Sequence, residues 1–196
     1  MFTHLKEELS LNTNITSRQD ILNTARSLAR DMSLSLIGIR QVADACDISV
    51  GTVYNYFPSK ADLLAALTED IWRTAFDGHL DDAYNLGFVD YVSWLFQRAR
   101  SATSGFPSFL SRHPLHFRSM EKKEGRAVME NMFQYLKSGM RASLDRDKNA
   151  AITSLYPNIN PDELVEFSFI NLFSLLASGS DNCDTLLKVL QLILYQ

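Results

Sequence analysis

Apolar residues recur three and four positions apart along nearly the whole chain, and no stretch alternates apolar and polar like a strand. The pattern predicts an all-α protein of about nine helices joined by short loops. The first stripe is Ile21, Ala25, Leu28, Ala29 and Met32, with Thr16 or Ser17 placed to cap it and Gln19 or Asp20 three residues on. Two short helices follow, over 39–46 and 49–56. Pro58 and Ser59 then break the chain, and Ser59 with Asp62 makes a capping pair for a fourth helix. That helix runs through Leu63, Leu64, Leu67, Ile71 and Trp72 to about Asp77, where Gly78 stops it. Further helices are expected over 87–103, 107–112, 117–146, 161–178 and 183–195, with Pro107, Pro114, Pro157 and Pro161 at breaks or first turns. A boundary near 72–78 divides the chain into an N-terminal unit, 1–73, and a C-terminal helical unit, 74–196. The fourth helix serves both.

The two short helices leave only Asp47 and Ile48 between them, so they must cross steeply. That is the geometry that lets a second helix enter a major groove, and it places a helix-turn-helix at 38–57. Ile39, Val42, Ala43, Cys46, Ile48 and Val53 can form the seam, and Ser49 suits the second N-cap. The outward side of the second helix holds Val50, Thr52, Tyr54, Asn55 and Tyr56 and carries no charge. Gly51 lies within it although Gly weakens a helix interior by about 1 kcal/mol, which makes sense if something large lies against the backbone there. Thr52, Tyr54 and Tyr56 offer hydroxyls to phosphate oxygens, Asn55 can read an adenine edge, and Val50 can meet a thymine methyl. Lys60 and Arg40 stand in the first turns of their helices, where free N–H groups favour an anion.

Ile39-Arg40-Gln41-Val42-Ala43, followed by the run from Ile48 to Leu64 that contains Ser49, Gly51, Thr52, Tyr54, Tyr56, Phe57, Ser59, Lys60, Leu63 and Leu64, resembles the signature of the TetR family of regulators. The likeness covers about residues 17–72, and the rest is similar only in helical character and length. It implies an N-terminal three-helix DNA-binding domain joined to a helical ligand-binding and dimerisation domain. It also implies phosphate contacts by Thr52, Tyr54, Tyr56 and Lys60, with Val50 and Asn55 nearest the bases. Where the family often has Gly in the turn, this chain has Asp47, which tolerates the left-handed conformation better than most residues.

Composition narrows the picture. With 46% apolar and 21% charged residues the chain is that of an ordinary globular protein, expected to be cytoplasmic and free of the membrane. The longest uncharged apolar stretch, 167–180, falls short of the roughly 20 residues a bilayer needs. Cys46 and Cys183 are too few for a disulfide scaffold and lack metal spacing, and read as small buried apolar residues. The net charge of −4 is unevenly spread: −2 over 1–73, −2 over 74–111, +4 over 112–148 and −4 over 149–196. The basic block thus lies outside the expected DNA-binding segment. On a long helix such a block usually makes a solvated face, and an anionic ligand or acidic partner is the alternative. Near the motif, Asp44 and Asp47 balance Arg40 and Lys60. Lys6 beside Glu7 and Glu8 makes no basic minor-groove hook. A modest affinity with a shallow salt dependence is expected.

In the C-terminal half, 163–178 and 185–196 are apolar on nearly every side, which favours burial against a second subunit in a four-helix bundle. The interface is expected at Phe169, Phe173, Leu176, Leu187, Leu190, Ile193 and Leu194. A homodimer also supplies the two reading helices that a palindromic operator demands, ~34–36 Å apart. Large adaptable side chains over 87–136 suit either a plain core or an apolar cavity. A small-molecule pocket is expected to include Trp94, Phe109, His113, His116, Phe117, Met120, Met132 and Phe133, with Phe167 and Asn171. His113 and His116 lack the companions of a metal site, so no metal and no cofactor is expected. No phosphate loop, nucleophile elbow or paired carboxylates stand out, and no catalytic residue or enzyme activity is expected. The expected function is a regulator, a repressor released from double-stranded operator DNA by a small-molecule effector. A ligand-independent architectural or cell-division factor, or a helical interaction protein that has lost DNA, remain the other readings.

Overall fold

The computed structural model describes residues 16–76, 83, 85–106, 109, 123–150 and 159–195. These form eight α-helices and one 3-10 turn: α1 (Arg18–Asp31), the turn Leu34–Leu36, α2 (Ile39–Ala45), α3 (Val50–Tyr56), α4 (Lys60–Phe76), α5 (Phe88–Ser104), α6 (Lys123–Arg146), α7 (Pro161–Ala177) and α8 (Asp184–Leu194). The all-α expectation holds, with helix ends within a residue or two of those read from the pattern. Apart from Phe109, the helix expected over 107–112 and the start of the one expected at 117 lie outside the described residues, as does Gly78.

Local chemistry sets the ends. Ser17 caps α1 by accepting from the Asp20 amide, and Asp20 in return accepts from the Ser17 amide. The Ser17 hydroxyl, which donates to the Asp20 carboxylate at 2.6 Å, and then the Ser17 amide hold that carboxyl below the usual range. At the start of α4 the Ser59 hydroxyl accepts from the Asp62 amide at 3.2 Å and donates to the Asp62 carboxylate at 2.6 Å. At α7, Asn160 and Glu163 complete a capping box with Pro161 in the first turn, where its missing N–H costs nothing.

The core is one contiguous cluster from Ile21 to Leu194. α4 is its spine, packed against α1, α5 and α6. A buried carboxylate locks the first joint. Asp70 on α4 accepts from Arg73 at 2.9 Å and lies 3.2 Å from Arg26 of α1. Beyond it, Trp72 and Phe76 stack and meet Phe109, Phe173 and Trp94, and Phe133 packs edge-on against Phe169.

The basic and acidic blocks answer each other across α6 and α7. Lys137 pairs with Glu166 at 3.0 Å, and Arg141 reaches both Asp145 and Asp162. At these two positions the positive block is neutralised by the negative one that follows it. A second tie gathers three helix ends: Asp147 accepts from the Phe88 amide at 2.8 Å, the Asn149 amide at 3.1 Å and the Tyr195 hydroxyl. Among the described residues no helix is long and apolar enough to cross a membrane.

Candidate nucleic-acid interface

The corner between α2 and α3 is built by backbone. After α2 the chain turns through Asp47, whose φ of 54° makes it the one non-glycine residue with positive φ among the described residues. The Asp47 amide bonds the Asp44 carbonyl at 3.2 Å, and the Ile48 amide bonds the Ala43 carbonyl at 3.0 Å. These paired bonds are a Schellman stop with aspartate in glycine's usual seat. Ser49 then caps α3 by accepting from the Thr52 amide at 3.0 Å. Ile39, Val42, Ala43 and Val53 are buried in the seam, with Cys46 and Ile48 partly buried against it.

The rest of α3 faces out. Ser49, Gly51 and Asn55 are exposed, as are Tyr54 (48%) and Tyr56 (39%), while Val50 and Thr52 are half-buried. A Cβ on Gly51 would meet only the Ser49 hydroxyl, at 3.6 Å, so nothing inside the molecule requires glycine there. Arg40 and Lys60 are exposed beside this surface, and so are Asp44 and Asp47.

Four side chains of the surface already hold internal bonds, among them the Ser49 and Thr52 hydroxyls, which pair at 2.8 Å. The Tyr56 hydroxyl donates to the Thr16 carbonyl at 2.7 Å, and Lys60 donates to the Ser35 carbonyl at 2.8 Å. Arg18 lies over the Phe57 ring, 5.1 Å from its centroid. These contacts draw the start of α1 and the 3-10 turn toward α3. They were missed in the sequence because the partners lie 25 to 40 positions apart. Gln41 was missed as well: its side chain accepts from the Gly38 amide at 2.9 Å and closes the start of α2.

The C-terminal expectations divide. Phe109 is buried against Trp72, and Trp94, Met132 and Phe133 are half-buried around the same aromatic cluster. Phe167 and Asn171 do not join it. Phe167 is 44% exposed, and the Asn171 amide turns back to the Phe167 carbonyl at 2.8 Å. His113, His116, Phe117 and Met120 lie outside the described residues.

Of the residues assigned to a subunit interface, Phe169, Phe173, Leu176, Leu190 and Leu194 are buried within the chain's own core, and Leu187 and Ile193 are half-buried. The outward apolar residues are instead Phe167 and Ile170 on α7 and Val189 and Leu192 on α8. A helix apolar on every side shows no inward face in its sequence, so the choice of face was beyond a periodicity argument.

Residues 21–67 match the family described as bacterial regulatory proteins, tetR family. Curated relatives include the HTH-type transcriptional repressor KstR of Rhodococcus jostii, 38% identical over 69 residues that make up 35% of this chain and 32% of that protein. The KstR of Mycobacterium tuberculosis is 30% identical over 118 residues, 60% of this chain and 50% of its own length. The chain thus spans about half, or less, of the length of these relatives. Among solved structures, FadR from Bacillus subtilis in complex with stearoyl-CoA superposes with a TM-score of 0.63 at 13% identity, covering 89% of this chain and 97% of that one. Reduced Escherichia coli NemR gives 0.62 at 16% identity, covering 90% and 97%. At these identities the likeness is one of fold.

Proposed function

We propose that this chain, a member of the TetR family of bacterial regulatory proteins, is a dimeric transcriptional repressor that a small molecule releases from its operator. The carrying observation is the outward face of α3. It is uncharged, bears three hydroxyls and an amide, and leaves open backbone at Gly51. A helix with that surface at a tight corner fits a major groove, where hydroxyls hold phosphates and an amide reads a base edge.

In this reading residues 1–73 form the DNA-binding domain and 74–196 the ligand-binding and dimerisation domain. Arg40, Ser49, Thr52, Tyr54, Tyr56 and Lys60 hold the backbone of the duplex, while Val50 and Asn55 face the bases across Gly51. Two copies joined through the apolar faces of α7 and α8 present two such helices to a palindromic site. The regulator works without catalysis, cofactor or metal, away from the membrane.

α4 supplies the coupling. Its 17 residues span about 25 Å at ~1.5 Å each, from Lys60 beside the reading helix to Trp72 and Phe76 in the aromatic cluster. The Trp72 indole N–H is buried there without a hydrogen-bond partner among the described residues, so an effector with an acceptor and an apolar body would gain by binding beside it. The stearoyl-CoA held by the FadR structure is a molecule of that kind. An effector causes release only by binding more tightly to the DNA-incompetent tilt of α4.

The test is selection of bound sequences from random DNA, followed by gel-shift titration. Asn55→Ala is expected to relax base preference. Lys60→Ala and Tyr56→Ala are expected to weaken binding to all sequences. Because Tyr56 and Lys60 also tie down Thr16 and Ser35, their losses are compared with the melting temperature of each variant. Enrichment of no sequence, or unchanged affinity in all three variants, overturns the reading.

A further inference from the structure

A cleft of about 240 Å³ opens where α1, α4 and α5 meet, at the border of the aromatic cluster and on the opposite end of α1 from Ser17. Three guanidinium groups line it, Arg26 and Arg30 from α1 and Arg98 from α5, and among the described residues no carboxylate does. In a chain of net charge −4 this is a local excess that overall composition does not explain.

The three arginines are not equally committed. Arg26 is held by Asp70 and by a bond to the Thr74 hydroxyl at 3.2 Å, and Asp70 is shared with Arg73. Arg30 and Arg98 have no acidic partner among the described residues. Each lies over an aromatic ring instead, Arg30 at 5.9 Å from Phe106 and Arg98 at 6.0 Å from Trp94. The Nε of Arg98 is buried with no acceptor. A buried guanidinium N–H without a partner is costly, and an arriving oxyanion that accepts from it removes that cost. On the apolar side, Ile71 and Ala75 of α4 wall the cleft, which limits water and strengthens charge pairing inside.

We propose that this cleft is a binding site for a compact oxyanion, a carboxylate or a phosphate, held by Arg98 and Arg30 and bridging the helix-turn-helix end of the molecule to its C-terminal helices. The volume sets the size of the guest. It lies below the roughly 300–1,000 Å³ of pockets for drug-sized ligands, so the cleft takes a small anion rather than a long acyl chain. Planar guanidinium forks recognise both carboxylate and phosphate oxygens in paired bonds. Because Arg30 rides on α1 and Arg98 on α5, an anion between them fixes α1 relative to the body. None of its lining residues is Trp72, where the effector is proposed to bind, and its existence does not depend on DNA binding.

The test uses the full chain without DNA. Thermal melts and calorimetric titrations are run with sodium benzoate, inorganic phosphate and uncharged benzamide, at ionic strength held constant with chloride. Saturable binding by benzoate or by phosphate is expected, with no response to benzamide; the tighter of the two identifies the guest as an organic carboxylate or a phosphate. Arg98→Met and Arg30→Met are each expected to weaken it tenfold or more. Ser101→Glu, which places a carboxylate on the exposed rim, is expected to raise the melting temperature and abolish the response. If Arg98→Met does not fold, Arg30→Met and Ser101→Glu decide. Hydrogen exchange is expected to slow in α1 and α5 together when the probe binds. Response to neither anion, or equal binding in the Arg30→Met and Arg98→Met variants, overturns the site, and slowing confined to α5 overturns the bridge.

Discussion

Two helical surfaces point outward from this chain, and they differ in kind. On α3 the exposed residues are a glycine, two tyrosines, an asparagine and the capping serine, with Val53 alone buried below. On α7 and α8 the exposed apolar residues are Phe167, Ile170, Val189 and Leu192, set among exposed Glu166, Lys188 and Gln191 over a core of Leu164, Leu172, Phe173 and Leu190. The first surface has hydrogen-bonding groups to spend and little apolar area, so its partner must be polar. The second interleaves large apolar side chains with charged ones, and in the proposed dimer the apolar ones meet their counterparts on a second subunit. Partner chemistry is thus written in what each helix leaves outside after its own core is filled.

The comparison is most sharply tested at the apolar end. Ile170→Asp with Leu192→Asp puts two carboxylates where a symmetric bundle would bury them, while both native side chains are already 41% and 74% exposed in the subunit. The fold should survive, and self-association should weaken about a thousandfold, ~4 kcal/mol. Analytical ultracentrifugation reads this directly. Continued dimerisation at micromolar concentration would place the interface elsewhere.

At the polar end the effect is smaller and carries two signs. Gly51→Ala adds a methyl that meets only the Ser49 hydroxyl at 3.6 Å, so folding stability should rise by about 0.5–1 kcal/mol through helix propensity. Operator affinity should fall tenfold or more, ~1.4 kcal/mol, if a DNA backbone passes there. Denaturant melts and gel shifts on one preparation separate the two. A variant that is more stable and binds DNA as before would show that α3 is not the docked surface.

The same contrast explains what the sequence could show. The corner at 38–57 was legible because its determinants are local: Ser49 three residues before Thr52, Asp47 in the turn, and small residues where α2 meets α3. The body was legible as helices but not as faces. α7 reads as apolar on nearly every side, so periodicity does not mark its inward face: Phe169 and Phe173, expected at a subunit interface, are buried within the chain, and Phe167, expected in the pocket, is exposed. The bonds joining Arg26 to Asp70, Tyr56 to Thr16 and Lys60 to Ser35 connect distant positions, and no spacing rule marks them. Arg30 and Arg98 are separated by 68 positions in sequence and share one cleft only after α1 and α5 pack on α4.

A third experiment reaches into the body through its pH dependence. Burial, aided by the Asp147 carboxylate that accepts its proton, pushes the Tyr195 hydroxyl up to about 12. Asp147 itself stays below its ordinary range: burial raises it, but the bonds from Tyr195 and three backbone amides more than offset that. A raised folded value means the stabilising contribution of Tyr195 is whole below its unfolded value near 10 and is lost as pH climbs from there toward 12. Tyr195→Phe should therefore cost about 1 kcal/mol at neutral pH, a charge-assisted bond discounted for a side chain 38% exposed, and progressively less above pH 10. Melts of both proteins from pH 7 to 11.5 check the convergence, and parallel curves would mean the bond contributes nothing to folding.

The smallest effect returns to the corner. Asp47 holds the left-handed seat of the α2 stop with φ of 54°, where a side chain is strained and glycine is not. Asp47→Gly should raise stability by about 0.5 kcal/mol, less than the full strain because glycine also gains freedom in the unfolded chain. The same change removes an exposed negative charge between Arg40 and the reading helix. DNA affinity should therefore rise about two- to threefold at low salt, and the gain should shrink as salt is added, because screening acts most on exposed charges. The corresponding change at the other surface, removal of the exposed Glu166 carboxylate by Glu166→Gln, frees Lys137 from its 3.0 Å partner and should leave operator affinity unmoved. Gel shifts at two salt concentrations distinguish a charge felt by DNA from one that is not, and an equal response at both positions would erase the distinction between the polar face and the body.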